Sequence, residues 1–496
     1  MNTILPVIII AVFILINAIV IRLFHRKQNS FEEYAVGSRS FPWFLSMFGF
    51  LGSWYIGSVY TGWFGDSATI GVFAQYLAIY SVGTMITMFI MIRPVWIWGK
   101  NHSLETNGDL AALRYNSKSF GLFLGLTTFL FWTPWLVIEL KTLGYLVFAA
   151  TNGVIPFNLG LIIVGLFVVI YSWLGGVRAG VIGDLVQGLF FTIIGSATII
   201  FLFYKVYGGI IPMFDNLVEK SPELLIIPEN IGPWIWSSAI ITGAFGGMMN
   251  PGIFNRLYMA KSVRAAKKSA LVAPLIGSMF TILILWLGLG ATLLEGFPKD
   301  AQSGAFWIAA KVGPIGLGLM GVFALAASMS SITACVSTSA AIIGKNLTGK
   351  ISREKKLKYA KLSALLLGLI SIAIATVDIP RLVAVIIYVY ECIAQAAVPL
   401  ILGLYWKRGN KYGAYVGTVI GMGIVILNGL FPWLTSWANG VSAGLIGLMF
   451  NLIFYIVVSL VTPRQSNVDQ LFEELESPNR RNVSTSIEAG EVEINA

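Results

Sequence analysis

The chain has 496 residues, 57% of them hydrophobic and 11% charged, with a mean hydropathy of +0.80. Soluble domains carry roughly 25% charged residues, so a soluble enzyme, a disulfide scaffold and a disordered chain are excluded. Long unbroken apolar runs also exclude a barrel, whose strands alternate every second residue. The net charge of +10 has a simpler source than a polyanionic partner, namely basic loops on the inner side of a membrane protein.

Apolar segments fall near residues 3–23, 42–64, 69–97, 119–150, 156–174, 180–206, 232–255, 269–294, 312–344, 359–377, 381–406, 412–431 and 438–462, which predicts about thirteen transmembrane helices. Each has about the 20 residues a helix needs to cross the hydrocarbon. The first segment lacks a basic leader and a small-residue cleavage site, and its charges follow it at Arg22, Arg26 and Lys27. It reads as a retained span with the N-terminus outside. With that orientation 27 basic residues fall on the cytoplasmic side and 5 outside, the bias expected of a correct topology. The stretch 463–496 is acidic and rich in Ser and Asn, and predicts a disordered cytoplasmic tail.

Span 2 reads GFLGSWYIGSVYTGWFG over 49–65, and span 7 reads GAFGGMMNPG over 243–252. Glycine costs about 1 kcal/mol and proline about 3 kcal/mol in a helix interior. Either segment alone also fits close packing through small residues. Lying five spans apart, they cross in opposite senses, the pattern of an inverted-repeat transporter whose unwound backbone faces ion and substrate. Asn250 in the second interruption is a candidate substrate ligand.

Span 9 holds the densest polar cluster, FALAASMSSITACVSTSAAII over 323–343, with Ala327, Ser330, Ser331 and Ala334 on one helical face. Neutral oxygens suit an alkali cation, although hydroxyls in membrane helices also bond back to their own carbonyls. Intramembrane carboxylates at Glu139, Asp184 and Glu391 are costly and so suggest function. Glu139 and Lys141 are two residues apart and face different ways. Cys335 and Cys392 sit in apolar runs and read as core residues. The glycines 316, 318 and 321 satisfy GxGxxG but lie inside an apolar helix with no strand before them, so a dinucleotide site is rejected.

Four blocks make the chain resemble the sodium/solute symporter family of proline, glucose, pantothenate and sialic acid carriers. They are YSWLGGVRAGVIGDLVQG (171–188), FNRLYMAKSVRAAKKSA (254–270), ALAASMSSITA (324–334) and PLILGLYWKRGNKYGAYVG (399–417). The resemblance implies an all-α polytopic protein of the leucine-transporter type, a 5+5 inverted repeat with the C-terminus cytoplasmic. It divides the chain into an extra helix and loop (1–40), two five-helix repeats (41–206 and 207–406), two C-terminal helices (407–462) and the tail. It places a main sodium site at Gly52 and Tyr55 with Ala327, Ser330 and Ser331. A possible second sodium falls at Asp184 and Thr333, where Ala334 replaces a helpful serine. Where some members carry an acidic residue on the first core helix this chain has Trp54, and Glu391 takes the place of a sugar-contacting glutamine. Glu391, Asn250 and Glu139 are therefore the expected substrate contacts, with an amino acid or other amine-bearing solute favoured.

The expected function is sodium-coupled symport of a small polar organic solute across the plasma (inner) membrane. The alternatives are a proton-coupled carrier of the same fold, or a sodium-coupled carboxylate or sugar transporter. Sodium is the coupling ion, and no organic cofactor, enzymatic activity, nucleic acid or obligatory protein partner is expected beyond solute and membrane lipid.

Overall fold

The computed structural model describes residues 4–24, 36–54, 56–228, 232–346, 352–379 and 381–476. It is helical throughout. The helices are α1 (Ile4–Phe24), α2 (Trp43–Trp54), α3 (Gly62–Ile70), α4 (Tyr76–His102), α5 (Asn107–Arg114), α6 (Lys118–Ala150), α7 (Phe157–Leu189), α8 (Ser196–Tyr207), α9 (Ile210–Lys220) and α10 (Gly232–Met249). They continue as α11 (Pro251–Met259), α12 (Val263–Ala291), α13 (Gly304–Lys311), α14 (Pro314–Asn346), α15 (Arg353–Ala375), α16 (Leu382–Ala394), α17 (Lys411–Leu430), α18 (Ala443–Val461) and α19 (Val468–Glu476). Among the described residues nine helical stretches are long and apolar enough to cross a membrane, with shorter apolar helices at Ile4–Val20 and Phe157–Trp173.

Both damaged spans are broken in the structure. The second divides into α2 and α3 around a short 3-10 turn at Gly57–Tyr60, with Ile56 extended (φ −116°, ψ 140°). The seventh divides into α10 and α11 at Asn250 (φ −51°, ψ 120°). Between them runs α14, uninterrupted and buried at every position from 321 to 342. It packs on α1, α6, α7 and α15, and so forms the fixed wall against which the broken spans sit.

Helix α7 joins the fifth and sixth apolar segments. A Cβ built on Gly183 would lie 2.7 Å from the Tyr171 hydroxyl, whereas twelve residues of straight helix span about 18 Å. The helix therefore does not run straight from Tyr171 to Gly183. A π-helical turn at Phe190–Gly195 then leads into α8. Both cysteines are buried and free.

The tail departs from expectation. Instead of disorder from residue 463, Val468–Glu476 folds as α19 and buries Val468, Leu471, Phe472 and Leu475, spaced to share one helical face. That face docks on the end of α4. Trp98 Nε1 and Arg93 Nη2 donate to the carbonyls of Leu471 (2.9 Å) and Leu475 (2.6 Å), the second of which lies in the helix's otherwise unsatisfied last turn. Asn101 and His102 contact the Glu474 carboxylate at 3.0 Å. The remainder of the expected disordered segment, 477–496, lies outside the described residues.

Candidate functional site: a cation and solute centre between two broken helices

The break in span 2 follows from hydrogen-bond accounting. In a continuous helix the amides of Gly57 and Ser58 would pair with the carbonyls of Ser53 and Trp54. Instead they donate to the Glu139 carboxylate, at 2.8 Å from Gly57 and 3.4 Å from Ser58. The carboxylate so caps the start of the outer half with negative charge. The same bonds leave the carbonyls at the end of α2 without their helical donors. Glu139 is fully buried on α6, with its two oxygens turned to the interruption. Gly57 is required there, since an added Cβ would fall 1.8 Å from Ser328 Oγ and 2.8 Å from Glu139 Oε2.

Span 7 repeats the device with its own residues. Pro251 has no N–H to give, and Asn250 Oδ1 accepts from Gly252 (2.8 Å) and Ile253 (3.3 Å). The carbonyls of Gly247, Met248 and Met249 consequently lose their usual partners. Asn250 thus caps α11, in the neighbourhood of Tyr390.

On the α2 side of the first break, Gly52 approaches α14 and α7 together. A Cβ on Gly52 would lie 2.1 Å from Ser330 Oγ and 2.7 Å from Asp184 Cγ. Ser330 Oγ donates a short hydrogen bond to Asp184 Oδ1, which leaves the hydroxyl's lone pairs available to a cation. Ala327 and Ser331 are buried on the same stretch of α14. Tyr55, the other expected ligand from span 2, lies outside the described residues. Thr333, the other residue expected at a second sodium, shares a hydrogen bond of 2.8 Å with Ser172 Oγ.

Residues that the sequence reading passed over complete this centre. Arg256 on α11 is buried, with Nη2 3.5 Å from Asp184 Oδ2 and Nε donating to Ser53 Oγ at 3.0 Å. Beside the same break, aromatic rings form a continuous wall. Trp132 stacks on Trp135 (5.0 Å), Trp135 meets Tyr390 (5.5 Å), Tyr390 meets Tyr80 (5.7 Å), and Tyr80 meets Trp54 (6.2 Å). Trp54 Nε1 donates to Ser81 Oγ at 3.1 Å. Further out, Arg381 at the start of α16 grips Asp66 on α3 with two bonds of 2.7 and 3.2 Å. The signal for Asp66 and Arg256 was their position: each is a charge inside the second half of a broken span.

Glu391 does not face this aromatic wall. Its side chain lies beside Ser442 and Gly444, at the start of α18. A Cβ on Gly444 would press on its Cγ at 2.5 Å. One residue is about 100° of helix rotation, so Tyr390 takes the inward position and Glu391 turns to the C-terminal helices. Of the three expected substrate contacts, only Asn250 lies at the aromatic wall.

The family model for the sodium:solute symporter family matches residues 34–421. The chain belongs to the sodium:solute symporter family. Among its relatives, an uncharacterized symporter of Bacillus subtilis is 24% identical over 92% of this chain and 96% of its own. A sodium/pantothenate symporter of Haemophilus influenzae is 26% identical over 95% of this chain and 99% of its own. Among solved structures, a Na+-coupled sialic acid symporter superposes with a TM-score of 0.77 at 17% identity, covering 93% of this chain and 99% of that one. Mhp1, a nucleobase-cation-symport-1 family transporter, gives 0.60 at 14% identity, covering 90% and 99%. This family member is accordingly an integral membrane transporter and not an enzyme, and it shares the fold of those two proteins.

Proposed function

We propose that the chain imports a small polar organic solute by sodium-coupled alternating access. The observation that carries this reading is the convergence of Gly52, at the end of an interrupted helix with released carbonyls, on Ser330 and Asp184. Hard cations bind oxygen ligands of this kind. Sodium held by the α2 terminus together with Ala327, Ser330 and Ser331 fixes the inner half of span 2. That geometry presents Trp54 and the outer break to the solute. The solute sits against Trp135, Tyr80 and Tyr390, with Asn250 supplying polar recognition at the second break. The wall favours a solute with a planar or apolar body and a hydrogen-bonding group, and an amine would gain from the ring faces.

In this reading the topology comprises thirteen spans with the N-terminus outside, and residues 41–206 and 207–406 form the two inverted repeats. Each sodium entering down 100 mV contributes about 2.3 kcal/mol, nearly fiftyfold accumulation at roughly 1.4 kcal/mol per tenfold. Coupling requires that sodium prefer one conformation over the other. The test is uptake by the purified protein in liposomes, using a panel of labelled amino acids, organic cations, sugars and carboxylates. Accumulation that appears with an inward sodium gradient and vanishes in choline supports the reading. Equal accumulation without sodium, driven by a pH gradient, overturns it.

A further inference from the structure

Arg256 is an expensive residue to place inside a membrane protein, and its surroundings leave it half engaged. Its stem runs along the Gly49 face of α2, where a Cβ would stand 3.6 Å from Nη1. Nε is fixed by Ser53 at 3.0 Å and Nη1 reaches Met259 Sδ at 3.4 Å. Toward Asp184 the contact is only an ion pair at 3.5 Å, and Asp184 Oδ2 accepts no hydrogen bond among the described residues. Both residues are almost wholly buried, at 4% and 1% exposed. The carboxylate's other oxygen is already bonded to Ser330.

We propose that Arg256 is a tethered competitor of the coupling ion: its guanidinium neutralises Asp184 when sodium is absent and yields that carboxylate when sodium arrives. The proposal rests on the sodium reading above and adds a residue that sets the ion's affinity. Sodium beside Gly52 and Ser330 sits within a few ångströms of Asp184, and two cations cannot share one buried carboxylate without repulsion. The guanidinium has somewhere to go, because Ser53 and Met259 already hold it from the other side. An unpaired buried charge is strongly disfavoured, so Asp184 keeps one positive partner throughout. The exchange also has a mechanical consequence. Arg256 belongs to the inner half of broken span 7, whereas sodium binds the inner half of broken span 2. Ion arrival therefore moves the attachment of Asp184 from one mobile half-helix to the other.

The test needs no knowledge of the solute, because the probe is 22Na+ bound to the purified full-length protein. Arg256→Gln should lower the half-saturating sodium concentration by roughly tenfold or more, since it leaves Asp184 seeking a cation. Arg256→Lys keeps the charge but cannot bridge Ser53 and Asp184 with a fork, and should lower it by roughly threefold. The conservative variant decides the matter if the glutamine variant fails to fold. Asp184→Asn should raise the value, and adding Arg256→Gln in that background should produce no further gain, the non-additivity expected of a coupled pair. Unchanged or weakened sodium binding in both Arg256 variants would overturn the proposal, as would an equal gain in the Asp184→Asn background. Binding by the Arg256 variants but not the parent would support the competitor role and sink the symport reading. No binding by any of them would sink both.

Discussion

Replacing Glu139 with glutamine probes the assertion that a carboxylate on α6 keeps span 2 broken. In the native chain two backbone amides, at 2.8 and 3.4 Å, converge on its two oxygens. Hydrogen bonds to a charged group contribute about 1.5–3 kcal/mol each, and neutral ones about 0.5–1.5 kcal/mol. Glutamine retains one carbonyl oxygen, loses the charge and turns an NH2 toward the second amide. A loss of about 2 kcal/mol in favour of the broken geometry follows, equivalent to about thirtyfold at 1.4 kcal/mol per tenfold. In the proposed sodium site the freed carbonyls of α2 are ligands, so the loss should appear as a rise of up to about thirtyfold in half-saturating sodium. The assay is 22Na+ binding to purified protein, with the thermal midpoint measured alongside to confirm folding. A folded Glu139→Gln variant with the parent's sodium response would refute the argument that this carboxylate forms the site.

Three other substitutions separate the ion centre from the solute wall and from the periphery. Gly52→Ala drives a methyl to 2.1 Å from Ser330 Oγ, and 22Na+ binding should be lost while the protein still purifies as a folded monodisperse species. Tyr390→Phe removes a hydroxyl in the neighbourhood of Asn250, on a ring that also packs against Tyr80. At about 1 kcal/mol for one hydrogen bond it should raise the solute's half-saturation roughly fivefold, with sodium binding unmoved in a parallel titration. Glu391→Gln weakens the link to Ser442 and Gly444. It should lower stability by about 1–2 kcal/mol in a thermal unfolding assay yet leave substrate selectivity unchanged, and altered selectivity would return Glu391 to the solute site.

Features carried by composition within one segment were legible from the chain alone. Glycines and a proline announced both interruptions, and the serines of α14 announced a polar face inside an otherwise apolar helix. Features that depend on how helices rotate against one another were not. Helical spacing placed Glu391 mid-span but could not distinguish its direction from that of Tyr390, its neighbour, so the aromatic wall was missed. The role of Glu139 was hidden for a similar reason, since only the crossing of α6 at the break brings its oxygens to Gly57 and Ser58. Arg256 stands in a family block directly after an apolar segment, and only the folded chain brings it to Asp184. The docked tail helix had a readable apolar stripe at 468, 471, 472 and 475, and the acidic residues around it drew attention to charge instead of periodicity.

The seating of α19 bears on how this protein can be handled and joined to others. Phe472 is packed edge-on against Trp98 at 5.7 Å and lies under the cations of Arg114 and Lys407, each 5.5 Å from its ring. A fluorescent partner or affinity handle spliced directly behind Val461 would evict that aromatic plug and bare the indole of Trp98 to solvent. Chimaeras joined beyond Glu476 keep the plug in place, and so make the fairer vehicles for watching the carrier in a living cell.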